Sequence, residues 1–293
     1  MVLVGRLPPA EMFPARRPEL RTRYLDLASG MRVRAVESGE PGAPMIILVP
    51  GWGCSVYVFR DNLAPLAAAG FHAVAVDLKG HGLSDKPLSR GHYRLDAMRV
   101  HVIEILDALG AHGVVLAGLS MGASLAAHVA ANHPGRVRGV VMGSPVGFDG
   151  VPGLRMVRGA TPSPVVPLLP RIVTRAMIAS ILRFVTGKLR PISKRDVDEY
   201  WAPTQFPEFT IAMRRLVHEY DWNSPLRALE VPSLLLTGTR DPVLSRSRAR
   251  RLARGTPGLR HVEIRDAGHV VYDEAPVAVN EAMIAFVRTL DRA

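Results

Sequence analysis

Ser120 stands in the run Gly118-Leu119-Ser120-Met121-Gly122. The stretch before it, Val114-Val115-Leu116-Ala117, has the composition of a fully buried strand, and the alanine-rich stretch 123–131 after it that of a helix. A serine at a strand-to-helix turn with glycines two positions either side is a nucleophile-elbow pattern, since the glycines permit a turn sharp enough to hold the hydroxyl above the sheet. Such a serine attacks a carbonyl carbon only if a base takes its proton and a carboxylate orients the base. Two later loops supply those types in the order serine, acid, histidine that the turn demands. Asp241 follows the apolar stretch 231–238, and His269 closes Asp266-Ala267-Gly268-His269 after the stretch 259–264. Both lie just past strand ends, on the rim of a parallel sheet where ligands bind. The chemistry these residues could do together is acyl transfer.

With strand, elbow, acid and histidine in this order, the chain resembles the α/β-hydrolase family from about Tyr24 onward, in its serine-nucleophile, capped, esterase- and lipase-like branch. The resemblance implies an α/β fold: a mostly parallel, doubly wound sheet with a helical cap or lid inserted after the sixth strand. It assigns the oxyanion hole to the backbone N–H groups of Trp52 and Met121. The strand Met45-Ile46-Ile47-Leu48-Val49 runs into Pro50-Gly51-Trp52-Gly53, with proline where many relatives carry histidine. The hole uses backbone N–H groups only, so the proline alters the packing of that loop and leaves the donor in place. The run Asp77-Leu78-Lys79-Gly80-His81-Gly82-Leu83-Ser84-Asp85 is similar to the family's loop beside the oxyanion turn, which has no chemical role of its own. The resulting mechanism has His269 taking the Ser120 proton, Asp241 fixing the imidazole, and water hydrolysing the acyl-enzyme. Activity is expected to fall on acidification, as the base is protonated.

Each assignment has a plainer rival. Asp241 could be a helix N-cap or turn residue. Some relatives carry the acid after the strand Val137–Gly143, but Ser144, Pro145 and Val146 occupy that place here, which favours Asp241. Asp266 reads as a turn residue. The other histidines, 72, 81, 92, 101, 112, 128, 133, 218 and 261, lack the small-residue turn that precedes His269 and read as ordinary polar or packed side chains. Relatives that open epoxides or remove halides use a carboxylate at the elbow, where this chain has Ser120. Cys54 reads as a small packed residue. The glycines after Val49 lack the third member of a dinucleotide fingerprint, and no phosphate loop, zinc spacing or calcium loop is present. No cofactor and no metal are expected.

The elements that must position these residues follow from pattern and composition. The chain has 293 residues, 48% of them hydrophobic, enough for a sizeable core. Residues 1–22, with prolines at 8, 9, 14 and 18, read as an N-terminal arm without a signal peptide. Paired strands near 24–27 and 31–37 open the sheet, and alternating strands and helices make residues 23–146 the first part of the core. Residues 147–223 break the alternation with a stretch rich in proline and glycine, 150–170, and then helical segments: a helical cap or lid. Residues 224–293 resume the core and end in an amphipathic helix over 275–290. The stretch 114–131 is apolar and long, but strand, elbow and helix account for it better than a membrane span.

The lid has no Asp or Glu from 150 to 195, while Arg155, Arg158, Arg171, Arg175, Arg183, Lys188, Arg190, Lys194 and Arg195 are all cationic. On a helix Val173, Met177, Ile181, Phe184 and Val185 share one face, with Arg171, Arg175 and Arg183 towards the other. The expected arrangement puts the apolar face over the active site and the arginines in water, with weak contact to a membrane surface as the alternative. The net charge is +11, and arginine outnumbers lysine 33 to 4, which with the alanine content suggests a GC-rich bacterial genome. A second basic cluster, Arg246, Arg248, Arg250, Arg251 and Arg254, comes without a nucleic-acid motif and reads as a solvated face. No nucleic-acid partner is expected. The leading expectation is a cytoplasmic serine hydrolase, monomer or dimer, cleaving a small ester with a substantial apolar part. The same three side chains could instead serve C–C bond, thioester or lactone hydrolysis or cofactor-free perhydrolysis, and a ligand receptor built on a hydrolase pocket is the non-enzymatic alternative.

Overall fold

The computed structural model describes residues 5–162, 172–226 and 228–291. Eight strands form one sheet: β1 (Arg21–Asp26), β2 (Arg32–Ser38), β3 (Met45–Val49), β4 (His72–Val76), β5 (Val114–Leu119), β6 (Val137–Gly143), β7 (Ser233–Gly238) and β8 (Leu259–Ile264). Their order is β1-β2-β4-β3-β5-β6-β7-β8, antiparallel where β2 meets β1 and β4 and parallel elsewhere. The expected opening pair lies at β1 and β2, shifted by a few residues. Edge strand β1 is polar and exposed except at Leu25, which suits a strand with one unpaired side. Central strands β3, β4 and β5 are near-continuous apolar runs because helices cover both of their faces.

Alternation along each strand divides the core in two. Ile47, Val49 and Leu116 point to the face covered by the helices Leu95–Ala108 and Met121–Asn132; Ile46, Leu48 and Val115 point to the face covered by Leu63–Ala68 and Pro276–Leu290. From β3 the chain crosses to β4 on one side and then returns to β5 on the other. The carboxyl ends of β3 and β5 therefore flank a topological switch point, the crevice where open α/β sheets bind ligands. The loop at 50–53 leaves one of those ends and Ser120 the other.

The cap follows β6. Its described helices are Leu154–Ala160, Arg175–Val185, Lys194–Trp201 and Pro207–Glu219. Thr174 caps the second through its hydroxyl, and Ser193 with Asp196 forms a capping box on the third. The helix Arg175–Val185 packs on the helix that follows it. It buries Ala179 and Leu182 against Val197, so Met177, Ile181 and Phe184 are 43%, 48% and 66% exposed. Arg175 is not simply solvated: it pairs with Asp198 at 2.6 Å. Arg171 and part of the stretch 150–170 lie outside the described residues.

The N-terminal segment is also less free than an extended arm. Pro9–Glu11 forms a turn of 3-10 helix, and Met12, Phe13 and Leu20 are buried. Phe13 N donates to Glu199 Oε1 of the cap at 2.8 Å, and Arg34 of β2 donates to the Phe13 carbonyl at 3.0 Å. The stretch 114–131 resolves into β5 and a helix, and no helix among the described residues is long and apolar enough to cross a membrane.

The helix after β5 starts in contact with the end of β3. A Cβ added at Gly122 would stand 2.3 Å from the Val49 carbonyl oxygen and 2.4 Å from that of Pro50. Gly122→Ala is therefore expected to cost about 1–3 kcal/mol as backbone is forced apart. Gly135→Ala, where a Cβ meets nothing within 4 Å, should leave thermal unfolding nearly unchanged.

Candidate active site

At the end of β5 the chain reverses into the helix Met121–Asn132 in a single residue. Ser120 takes φ +55° and ψ −118°, a conformation worth roughly 1–3 kcal/mol of strain that surrounding contacts must hold. Two contacts do so. Ser120 N donates to the Gly143 carbonyl of β6 at 2.8 Å, and Gly118 lies so close to Gly122 that a Cβ would stand 2.3 Å from its carbonyl oxygen. Gly51 closes the other side: a Cβ there would be 3.1 Å from Ser120 Cβ. Gly51, which precedes Trp52, and Met121 thus adjoin one serine. Met121 N–H begins a helix and so belongs to the amides that helical geometry leaves without an intrahelical acceptor.

The loop after β7 brings in Asp241 and the loop after β8 brings in His269. Ser120 Oγ lies 2.8 Å from His269 Nε2, and His269 Nδ1 lies 2.9 and 3.1 Å from the two Asp241 oxygens. The Asp241 carboxylate is shielded from solvent and also accepts from Val243 N and Leu244 N, both at 2.8 Å. Those amides fix the carboxylate, and the carboxylate selects the tautomer with hydrogen on Nδ1. Nε2 is then left to accept from the Ser120 hydroxyl. The two loops are tied together by Arg240, whose N–H donates to the Ala267 carbonyl at 2.9 Å and whose side chain pairs with Asp266 at 2.7 Å. Asp266 itself turns the chain, at φ +60°.

Behind the turn at 50–53 sits a buried carboxylate, Asp77. It accepts from Arg34 Nε at 2.7 Å and from the amides of Val56 and Leu83, both at 2.8 Å, so the loop 77–85 braces the residues after Cys54. Trp52 reaches the cap: its indole N–H donates to the Met213 carbonyl at 3.0 Å. Burial pushes the Cys54 thiol up to about 12, which suits a packed residue and not a nucleophile. Burial likewise lowers His81 to about 4 and His101 well below its ordinary value, and both bond to the backbone of Lys79. In the basic cluster Arg246 and Arg250 pair with Glu263, and Arg248 with Asp149. Among the described residues no group of three or more His, Cys, Asp or Glu is arranged to hold a metal ion.

Residues 44–276 match the family model described as alpha/beta hydrolase fold. The chain belongs to the α/β-hydrolase family. This α/β hydrolase is 28% identical to epoxide hydrolase A of Mycobacterium tuberculosis, with 92% of this chain and 98% of that protein covered. It is 27% identical to lipase 1 of Psychrobacter immobilis, over 88% of this chain and 81% of the relative. A carboxylesterase from Bacillus subtilis shares the fold, with a TM-score of 0.77 at 22% identity, covering 95% of this chain and 94% of that one.

Reading the sequence missed the polar contacts between core and cap of this hydrolase. Asp273, four residues after His269, accepts from Arg60 of the core and Arg190 of the cap. Asp196 of the cap accepts from Tyr57 Oη at 2.8 Å and from Arg190 at 3.0 Å, and Arg60 lies 3.2 Å away. In sequence each is an ordinary charged or polar residue; only the absence of acids from 150 to 195, ended by Asp196, sets that one apart. Burial would raise the Asp196 carboxyl, but hydrogen bonds from Ser193, Tyr57 and Arg190 outweigh it and hold the group at about 2. A depressed carboxyl stabilises the fold above its ordinary value of 3.8 and loses that contribution as pH falls through about 2. Asp196→Asn is therefore expected to destabilise the protein by about 2 kcal/mol at neutral pH. In thermal melts the gap between variant and wild type should narrow as pH is lowered from about 4 towards 2.

Proposed function

We propose that this chain is a serine hydrolase that cleaves a carboxylic ester with a substantial apolar part through an acyl-enzyme on Ser120. The observation that carries the proposal is the unbroken chain from the Ser120 hydroxyl through His269 to the solvent-shielded Asp241, with separations of 2.8 and 2.9 Å. Ser120 Oγ adds to the carbonyl carbon while His269 Nε2 takes its proton. The imidazolium is stabilised by Asp241, and the oxyanion is held by the N–H groups of Trp52 and Met121. The imidazolium then protonates the departing alkoxide. Water, deprotonated by the same nitrogen, attacks the acyl carbon and releases the acid and free Ser120.

The name of the epoxide hydrolase relative raises a second reaction, and elementary chemistry weighs against it here. A carboxylate that opens an epoxide becomes an ester, which water can hydrolyse. Ser120 doing the same would become an ether with no carbonyl for water to attack, and turnover would stop. Thioesters and lactones form the same acyl-enzyme and fit this site on the same grounds. The apolar part of the substrate is argued from the helix Arg175–Val185. It ends at Val185, whose carbonyl accepts from His269 N at 2.7 Å, and from that end Phe184, Ile181 and Met177 climb in an exposed stripe.

Ser120→Ala should abolish turnover and labelling by a fluorophosphonate, with unfolding otherwise like wild type. Asp241→Asn should keep labelling measurable but lower kcat by up to about four orders of magnitude, because the imidazole loses its tautomer. In a series of p-nitrophenyl esters kcat/KM should rise from acetyl to medium chains by up to about four-fold per methylene, the equivalent of ~0.8 kcal/mol. A preference for acetyl esters would remove the apolar-substrate part of the proposal.

A further inference from the structure

Residues 185–188 of the cap lie against the loop that carries His269. His269 N donates to the Val185 carbonyl at 2.7 Å, and Lys188 N donates to the Asp266 carbonyl at 2.9 Å. Between these two bonds Gly187 and Gly268 meet face to face. A Cβ on Gly187 would stand 2.2 Å from the Asp266 carbonyl oxygen, and one on Gly268 would stand 2.4 Å from that of Val185. Their amides converge on a single side chain. Glu274 Oε2 accepts from Gly187 N of the cap and from Gly268 N of the histidine loop, the latter at 3.0 Å, while Oε1 accepts from Val270 N at 3.2 Å.

We propose that Glu274 is a positioning residue for the general base: its carboxylate clasps cap residue Gly187 to the amides on either side of His269, so the imidazole is aligned on Ser120 only while the cap segment is seated. The inference rests on the reading of Ser120 as nucleophile. Glu274 is 5% exposed, and burial, assisted by neighbouring Asp273, raises its carboxyl above the ordinary range. A buried acid of this kind is costly and needs its donors. It has no cation of its own, because Arg60 and Arg190 are taken by Asp273. Three backbone N–H groups do that work, and two of them flank the catalytic imidazole in sequence. The grip is on the chain that carries the base, not on the substrate.

Glu274→Gln tests the clasp, since an amide keeps one acceptor oxygen and turns a donor towards the remaining N–H. Reactive sites are counted with a fluorophosphonate, and the rate of labelling per site is measured beside it. We expect the count to stay near that of wild type and the per-site rate to fall ten-fold or more, with Glu281→Gln on the exposed helix face unchanged. A per-site rate within two-fold of wild type overturns the proposal, whether the count holds or drops, because a merely structural side chain would lower the count alone. Should Glu274→Gln fail to fold, Gly187→Ala pushes the cap segment from the Asp266 carbonyl while leaving Glu274 intact, and the same per-site loss is required. Labelling absent from wild type would remove the nucleophile reading itself. Labelling present in wild type, absent from Ser120→Ala and undiminished in Glu274→Gln would remove only the clasp.

Discussion

The hydrogen bond between Ser120 and His269 joins residues 149 positions apart, and most of the architecture can be read as the means of making it. Neither partner can be placed by local structure alone. The serine needs a strained turn that β3, β5 and β6 hold from three directions, and the histidine needs a loop stabilised by the acid loop on one side and by the cap on the other. A hydrogen bond of this type contributes little to stability by itself, about 1 kcal/mol net. Its geometry is fixed by the many apolar contacts of a sheet buried on both faces, so the core stabilises the fold and the fold positions the bond.

The polar groups around this bond follow one rule: each buried charge is met by donors or by an opposite charge. Asp241 has the imidazole and two amides, Asp77 an arginine and two amides, Asp273 two arginines, and Glu274 three amides. Removing a partner in such a setting costs the desolvation of what remains, which exceeds the value of the contact. Backbone amides recur as partners because the carboxyl ends of parallel strands present loops whose N–H groups have no ladder to join. Carboxylates just past strand ends thereby hold those loops in shape.

The part of the molecule legible in sequence was the part with a strong periodicity or a strained turn. The buried strands around residues 46, 74, 116 and 141 are apolar runs that no surface element would carry, and the glycines around Ser120 mark a turn that few other residues permit. The fold class and the insertion after β6 followed from these. The neighbour of the helix Arg175–Val185 did not, because a hydrophobic stripe shows that one face is apolar and not which face a neighbour will cover; Ala179 and Leu182 meet Val197, while Met177, Ile181 and Phe184 stay exposed. The N-terminal segment read as an arm because prolines interrupt it, yet Phe13 and Leu20 bury themselves against sheet and cap. Glu274 and Asp273 carried no signal as acids in a helix turn, since their partners come from Arg60, Gly187 and Arg190, distant in sequence.

The segment that follows β6 is tied to the core at several points. Residues 185–188 are bonded to 266–269, Trp52 is bonded to Met213, and Asp196 and Arg190 are joined to Arg60 and Asp273. A cap lifting as a rigid body would break all of these at once and expose buried charges on both sides. It would also part His269 N from the Val185 carbonyl and Lys188 N from the Asp266 carbonyl. Motion confined to segments that do not touch the histidine loop would leave the hydrogen bond between Ser120 and His269 in place. Residues 185–188 are in this sense part of the wall that holds His269, and Asp196 and Met213 fasten the helices that follow them to the core.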